Sequence, residues 1–399
     1  MTQIQENKLP EGWIETTLGE LIKIGRGSSP RPIQNFIVEK NGIPWVKIAD
    51  ATASSNRYIE STKEFIKEEG RSTTVLYGDL IVSNSATPGI PKFMRIEACV
   101  HDGWLVFSEY KNLDKLYLYY FFLDYRIRLE HSAFGTVFKN LTTEIVRNVP
   151  ISLPPLPEQQ AIAKVLSSFD DKIELLREQN ETLEKIGQEL FKEWFGKYKL
   201  GDELPKGWRV GKLSDFGNII CGKTPSKDNK DFFGGDIPFI KIPDMHNEVY
   251  ISETVDTLTE LGANTQKNKF IPENSICVSC IATVGLVGIT TKFSQTNQQI
   301  NSIIPFESFY LEYLYFVLTN MKNDLIAMGG GGSATLNINT TSFSNIEINI
   351  PDIDLLKSFH EKVQNMFEKI KINSEEIETL SKTRDELLPK LMKGEVRVV

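Results

Sequence analysis

Cys277 and Cys280 stand at the spacing of a redox or zinc pair, yet no second pair and no nearby histidine completes a site. They lie in the apolar run from Ile276 to Ile281, so buried strand thiols are expected instead. His101, His131, His246 and His360 are scattered without metal-ligand spacing. No Asn/Asp-Pro-Pro-Tyr/Phe run occurs, which an adenine methyltransferase would need. Neither Pro243-Asp244 nor Pro351-Asp352 is followed by the Asp/Glu-x-Lys of the common nuclease motif. Gly329-Gly330-Gly331-Gly332 lacks the Lys-Ser/Thr of a phosphate loop. The chain therefore reads as one without catalytic residues and without a metal site of its own.

The chemistry that remains is recognition. Gly25-Arg26-Gly27-Ser28-Ser29-Pro30-Arg31 is a turn-rich loop in a stretch with no acid between Glu20 and Glu39. Lys223, Thr224, Ser226 and Lys227 lie in a second acid-free gap, from Asp215 to Asp228. Arginine can pair bidentately with guanine, and hydroxyls and backbone N–H groups can hold phosphate. Arg26, Ser28, Ser29, Arg31, Lys223, Thr224, Ser226 and Lys227 are thus the first candidates for DNA contact; the plain alternative is an exposed turn. Lys47 and Lys241 sit at matched positions beside Asp50 and Asp244, where an internal salt bridge competes with a phosphate contact. Asn84 and Thr87, in the loop from Ser83, and Asn297, Gln298 and Gln299 carry side chains able to read adenine edges, or are ordinary polar turns. Thr283, Lys139 and Asn140 belong to further polar loops, and Gly331 would let backbone approach a duplex or simply loosen a loop. A net charge of −8 speaks against a polyanion partner, but residues 156–195 alone hold nine acids against five bases. Much of the acidity thus falls on a segment that need not touch DNA.

The elements that would position these loops occur twice. Leu9-Pro10-Glu11-Gly12-Trp13 returns as Leu204-Pro205-Lys206-Gly207-Trp208, and Ile43-Pro44-Trp45-Val46-Lys47-Ile48-Ala49-Asp50 as Ile237-Pro238-Phe239-Ile240-Lys241-Ile242-Pro243-Asp244. Ala86-Thr87-Pro88-Gly89 is answered by Ala282-Thr283-Val284-Gly285, and Val149, Ile151 and Leu153 by Ile346, Ile348 and Ile350. This is a tandem duplication. Within each copy, 43–50 reads as a strand, Val75 to Ser83 as a hairpin-like strand pair, and 115–131 and Phe309 to Leu325 as tyrosine-rich helices.

Each copy ends in an apolar seam at steps of four and three. The first is Ile162, Leu166, Phe169, Ile173, Leu176, Asn180, Leu183, Gly187, Leu190 and Trp194; the second is Phe359, Val363, Met366, Ile370, Asn373, Ile377, Leu380, Arg384, Leu387 and Leu391. Two seams of equal length call for an antiparallel intramolecular pair, roughly 60 Å long at about 40 residues. Asn180 and Asn373 specify its register or mark a solvated section, and Phe191, Trp194 and Phe195 form a core or docking cluster. The expected layout is α/β, of the α+β kind with small mixed sheets: a recognition unit at 1–155, a helix at 156–200, a second unit at 201–351 and a helix at 352–399. Two similar heads held apart suit a duplex read at two points.

These residues resemble the specificity subunit of bacterial Type I restriction–modification systems over essentially the whole chain. The resemblance rests on the repeated Leu-Pro-x-Gly-Trp, the repeated Ile-Pro-Trp/Phe-Val/Ile-Lys-Ile-x-Asp, and Pro154-Pro155-Leu156-Pro157-Glu158-Gln159-Gln160. The second copy departs, with Pro351-Asp352-Ile353-Asp354 lacking the Glu-Gln pair. The resemblance implies target recognition domains that each read half of a split double-stranded DNA site. It also implies partners: two modification subunits that bring S-adenosylmethionine for N6-adenine methylation, and restriction subunits that use ATP with magnesium. The chain itself would hold no cofactor. Two other readings stand beside it: a two-headed protein-interaction scaffold, and the specificity subunit of a fused methyltransferase–nuclease system. A polar start and no long apolar run point to a cytoplasmic protein.

Overall fold

In the structure, a computed structural model, residues 9–53, 56–131, 140–246, 248–330 and 336–398 are described. Four helices of ten residues or more occur among them: α1 (Lys115–His131), α2 (Leu156–Trp194), α3 (Leu311–Asn320) and α4 (Ile353–Met392). The chain forms two compact units. One runs through Glu174 and takes in the chain from Ser381 onward, and the other is Leu175–Leu380. Both α2 and α4 are therefore shared between the units, whereas the sequence divides the chain at the helix ends. No helix among the described residues is long and apolar enough to cross a membrane.

In the first unit a five-stranded mixed sheet runs in the order Lys23–Arg26, Trp104–Ser108, Leu80–Ser83, Pro91–Met94 and Tyr58–Ile59. A second has the order Ile37–Val38, Glu64–Ile66, Ile43–Val46, Ala98–Val100 and Thr74–Val75. Ile14–Thr17 pairs antiparallel with Pro150–Leu153. The expected hairpin from Val75 to Ser83 is not one, because its two strands lie in different sheets. Asp79 explains the error: its carboxylate accepts from Leu76 N–H at 2.8 Å, making a turn that diverts the chain from one sheet to the other. The 43–50 motif is only half strand. After Val46 the chain enters the short helix Ile48–Ala53, and Asp50 accepts from Lys47 N–H at 2.7 Å to cap it.

The second unit repeats the first sheet strand for strand: Gly217–Cys221, Ile300–Pro305, Ile276–Ser279, Val287–Thr290 and Tyr250–Ile251. Its other sheet keeps three strands, Thr257–Leu258, Phe233–Ile240 and Gln295–Thr296. The pairing of Ala98 with Val75 survives there as a single bridge, Ser294 with Ile271. Asp244 caps the turn after its strand as Asp50 does, accepting from Lys241 N–H at 2.8 Å. The tyrosine-rich helix differs from expectation. It stops at Asn320, and a separate helix, Lys322–Gly329, follows a break at Met321. Cys277 and Cys280 are buried free thiols. Burial pushes the Cys277 thiol up to about 12 and that of Cys280 to about 11. Iodoacetamide at neutral pH is expected to label half-buried Cys221 in the native chain and spare these two until unfolding, as peptide mass mapping would show.

The seam residues are buried or half-buried along both helices. In the first unit Ile162 and Leu166 share a core with Leu388 and Leu391, and Asp170 meets Arg384. In the second, Asn180 meets Asn373 and the Trp194 ring lies 5.8 Å from Phe359. Numbers rise along α2 as they fall along α4 in each unit, so the helices pair antiparallel. Asn180 and Asn373 meet across the seam, Asn373 Nδ2 donating to Asn180 Oδ1 at 2.8 Å, the polar pairing that a register role calls for. Phe191, Trp194 and Phe195 pack into the second unit's core with Tyr313 and Phe359.

The Glu-Gln pair of the first copy ties three segments together. Glu158 accepts from Trp13 Nε1 at 3.1 Å and from Arg397 at 2.7 and 2.8 Å. Gln159, fully buried, donates to Pro154 O and Asn112 O and accepts from Asp114 N–H, fixing the start of α1. The related positions in the second copy, Leu355 and Leu356, pack against or within the apolar core instead, which is why that copy lacks the pair.

Glu312 of α3 is 3% exposed and lies 2.7 Å from His360 Nδ1. The hydrogen bond to Glu312 raises His360 above its ordinary pKa despite partial desolvation. Because the folded value exceeds the unfolded one, this contribution is complete below about pH 6.5 and is lost as pH rises through the raised value. The melting temperature is expected to fall over that interval, and His360→Gln is expected to flatten the fall in a pH series of thermal scans.

Candidate nucleic-acid interface

In each unit the basic loop leaves the edge strand and is pinned across the strand ends. Gly27 N–H donates to Trp104 O at 2.9 Å and Ser28 N–H to Val100 O at 3.2 Å. At the matching place Gly222 N–H donates to Ile300 O at 3.0 Å and Lys223 N–H to Thr296 O at 2.9 Å. Both glycines are required by contact: a Cβ would stand 2.0 Å from His101 O at Gly27, and 2.2 Å from Asn297 O at Gly222.

The 101–103 turn of the first unit and the 297–299 turn of the second are thus equivalent. Each is met by the next polar loop, through Asn84 N–H to Gly103 O and Cys280 N–H to Gln299 O, both at 2.8 Å. Ala86 and Ala282 share left-handed backbone, with φ of 59° and 65°. A further segment joins on, since Leu141 N–H donates to Asn84 O and Ile338 N–H to Cys280 O. Segments far apart in sequence are therefore assembled into the same loop cluster twice.

Side chains differ between the clusters. In the first, Arg26, Ser29 and Asn84 converge on Asp102. Arg26 Nε donates to its carbonyl at 2.7 Å, Asn84 Nδ2 to the same oxygen at 3.0 Å, and Ser29 Oγ to its carboxylate at 3.2 Å. Ser28 Oγ lies 3.0 Å from Thr73 Oγ1. Asp102 is an acid that the acid-free stretch does not reveal. Desolvation lowers the His101 pKa, against the pull of Asp102 and with Lys47 and Arg26 adding to the effect. In the second cluster Thr224 Oγ1 donates to Gln298 Oε1 at 2.6 Å, Asn297 bonds Gln299, and Gln266 Nε2 supports Lys223 O at 2.6 Å. Lys223, Ser226, Lys227 and Gln298 are exposed.

Lys47 and Lys241 both form ion pairs, but with carboxylates other than the neighbouring aspartates: Lys47 Nζ with Glu64 at 2.5 Å, and Lys241 Nζ with Asp256. Asp50 and Asp244 serve the backbone instead. Desolvation lowers the Lys241 pKa, the charge of Lys227 adds to the effect, and Asp244 opposes it. Arg31, Asn140 and Thr283 are exposed, and Thr87 is half-buried with its carbonyl accepting from Ser83 Oγ at 2.5 Å. Lys139 and Gly331 lie outside the described residues. The sequence reading missed His101, Asp102 and Thr73; applying the repeat offset to Asn297–Gln299 reaches the first two. Among the described residues no group of three or more His, Cys, Asp or Glu is placed to hold a metal.

A duplicated sheet unit, each copy presenting a cluster of basic and amide-bearing loops and sharing two long helices, defines a recognition protein with two heads. The chain matches the Type I restriction modification DNA specificity domain twice, at residues 10–185 and 205–382, and belongs to that family. It is 40% identical over 342 residues to the Type I restriction enzyme HindI specificity subunit of Haemophilus influenzae, covering 68% of this chain and 74% of that one. It is 30% identical to the MjaIX specificity subunit of Methanocaldococcus jannaschii, covering 98% of this chain and 95% of the other. The S subunit structure from M. genitalium superposes with a TM-score of 0.57 at 16% identity, covering 98% of both chains, and so shares the fold. As a specificity chain it is a non-catalytic DNA-recognition subunit of a restriction–modification system.

Proposed function

We propose that each loop cluster reads one half of a split double-stranded DNA site, and that the chain carries two modification subunits and the restriction subunits to it. The observation that carries this reading is the double assembly of the cluster on one backbone frame with different side chains. Arg26, Ser29, Asn84 and Asp102 occupy one, and Thr224, Gln298 and Lys227 the other. Equal frames with unequal side chains are what two unlike half-sites require. The helices supply matched apolar positions for two copies of one partner. Leu156 and Ile353 are 38% and 48% exposed, and Leu175 and Ile372 are 48% and 45% exposed, each pair related by the repeat. S-adenosylmethionine, and ATP with magnesium, belong to those partners in this reading, and the complex works in the cytoplasm.

Footprinting of the complex with a modification subunit on its DNA tests the proposal. Two protected patches with an unprotected or weakly protected gap are expected. A single continuous patch centred on one unit's loops, or binding that ignores DNA altogether, would sink it and favour a protein-binding scaffold.

A further inference from the structure

Among the polar contacts that join α2 to α4 are an ion pair in the first unit and an amide pair in the second, and neither has a counterpart at the repeat-related position. In the first unit Arg384 Nη1 meets Asp170 Oδ1 at 2.6 Å, and Tyr120 Oη donates to Asp170 Oδ2 at 2.6 Å. Asp170 is 7% exposed. The duplication relates Asp170 to Phe367 and Arg384 to Gly187. In the second unit that place is apolar: Phe367 is buried 5.4 Å from the Phe316 ring, and a Cβ at Gly187 would stand 2.7 Å from Phe316 Cζ. The second unit has its own contact, Asn373 Nδ2 to Asn180 Oδ1 at 2.8 Å, with Asn180 Nδ2 reaching Ser374 Oγ at 3.4 Å. The residues related to Asn180 and Asn373 are Ile377 and Leu176, both buried and apolar.

We propose that these two pairs make the seam accept only α2 with α4 and reject a second copy of either helix, so that two chains do not join through like helices. The apolar pattern cannot make this choice, because it is duplicated: Ile162, Leu166 and Ile173 answer Phe359, Val363 and Ile370 in the same frame. An α2–α2 pairing in the native register sets Asp170 opposite Gly187 and Asn180 opposite Leu176. An α4–α4 pairing sets Arg384 opposite Phe367 and Asn373 opposite Ile377. Every such mispairing strands a charge or an amide in the seam, whereas the native pairing neutralises Asp170 with Arg384 and gives Asn373 Nδ2 and Asn180 Oδ1 each other. The duplication that builds two equal helices thus carries the device that keeps them from being exchanged.

The test reproduces the mispairing inside the full chain. Arg384→Gly with Asn373→Leu gives α4 the residues that α2 carries at those positions, and this variant is expected to melt well below the native protein. Adding Asp170→Phe with Asn180→Ile, and Tyr120→Phe because that hydroxyl loses its acceptor, completes the apolar arrangement and is expected to recover most of the loss. The smaller cycle of Arg384→Gly with and without Asp170→Phe should move the same way. A direct readout uses Gln179, which flanks the seam with its Oε1 3.5 Å from Asn373 Nδ2 and is related by the repeat to Glu376. An antiparallel α2–α2 pair in the native register sets Gln179 beside its own copy, where the native seam sets Glu376. Gln179→Cys in a Cys221→Ser background, treated with a bismaleimide, is expected to stay monomeric, while Gln179→Cys with Glu376→Cys closes within one chain. Native-like melting of the first variant, no recovery in the second, or cross-linked dimers from Gln179→Cys alone would each overturn the proposal.

Discussion

Alanine at Arg31, Lys223 and Lys227 together is expected to cut the affinity of the assembled complex for its DNA by about two orders of magnitude at physiological salt. It should also reduce the slope of log affinity against log salt by about 3, because each cation that neutralises a phosphate contributes roughly 0.9. The three are exposed in the loops that the strand ends hold in place. Arg26 should behave differently. Its guanidinium is engaged with Asp102, so Arg26→Ala removes a loop brace as well as a charge and should change the slope by less than one full contact. Fluorescence anisotropy across a salt series measures both variants. An unchanged slope in the triple variant would place the duplex elsewhere on the molecule.

Arg384→Leu alone is expected to cost about 3 kcal/mol of stability, whereas Asp170→Leu with Arg384→Leu should cost less than the single change. The asymmetry follows from what is left behind. Asp170 is nearly inaccessible, and its two oxygens are met by Arg384 and Tyr120. Removing the guanidinium strands a charge that burial then penalises; removing both groups leaves the neutral Tyr120 hydroxyl without its acceptor, where the second unit has Phe316 beside Phe367, and a neutral group is penalised less than a charge. Asp171→Leu makes the control. Its carboxylate is mostly exposed even while it contacts Arg57, so a smaller loss is expected. Chemical denaturation of the native protein, Arg384→Leu, Asp170→Leu and the double variant gives the cycle directly, with Asp171→Leu beside it.

The contrast between those two neighbouring aspartates shows where sequence reading stops. The duplication and both seams are legible because they depend on apolar residues recurring at fixed intervals, a property of the chain alone. Asn180 and Asn373 are legible for the same reason: a polar residue at a seam position stands out. Asp170 is one step off the seam, and nothing local separates it from exposed Asp171; only the arrival of Tyr120 and Arg384 makes it buried. Strand pairing was lost in the same way. Val75 and Leu80 look like a hairpin because a turn joins them, yet their partners are Ala98 and Phe93, brought in from farther along the chain. In the loop cluster, the basic stretch at 26–31 is visible in sequence, but Asp102 reaches it only through the pairing of Trp104–Ser108 with Lys23–Arg26. The glycine at 27 could be assigned to a turn from sequence; that it must be glycine because His101 O lies against it could not.

The central claim is that this chain supplies a two-part DNA address. Base-resolution mapping of N6-methyladenine in cells expressing the chain with a modification subunit tests it most directly. The account predicts methylation confined to a split motif with two short arms and a fixed gap, with exchange of the residues before Pro155 for those of a relative changing one arm alone. Methylation without a split motif, or none from an intact complex, would contradict it.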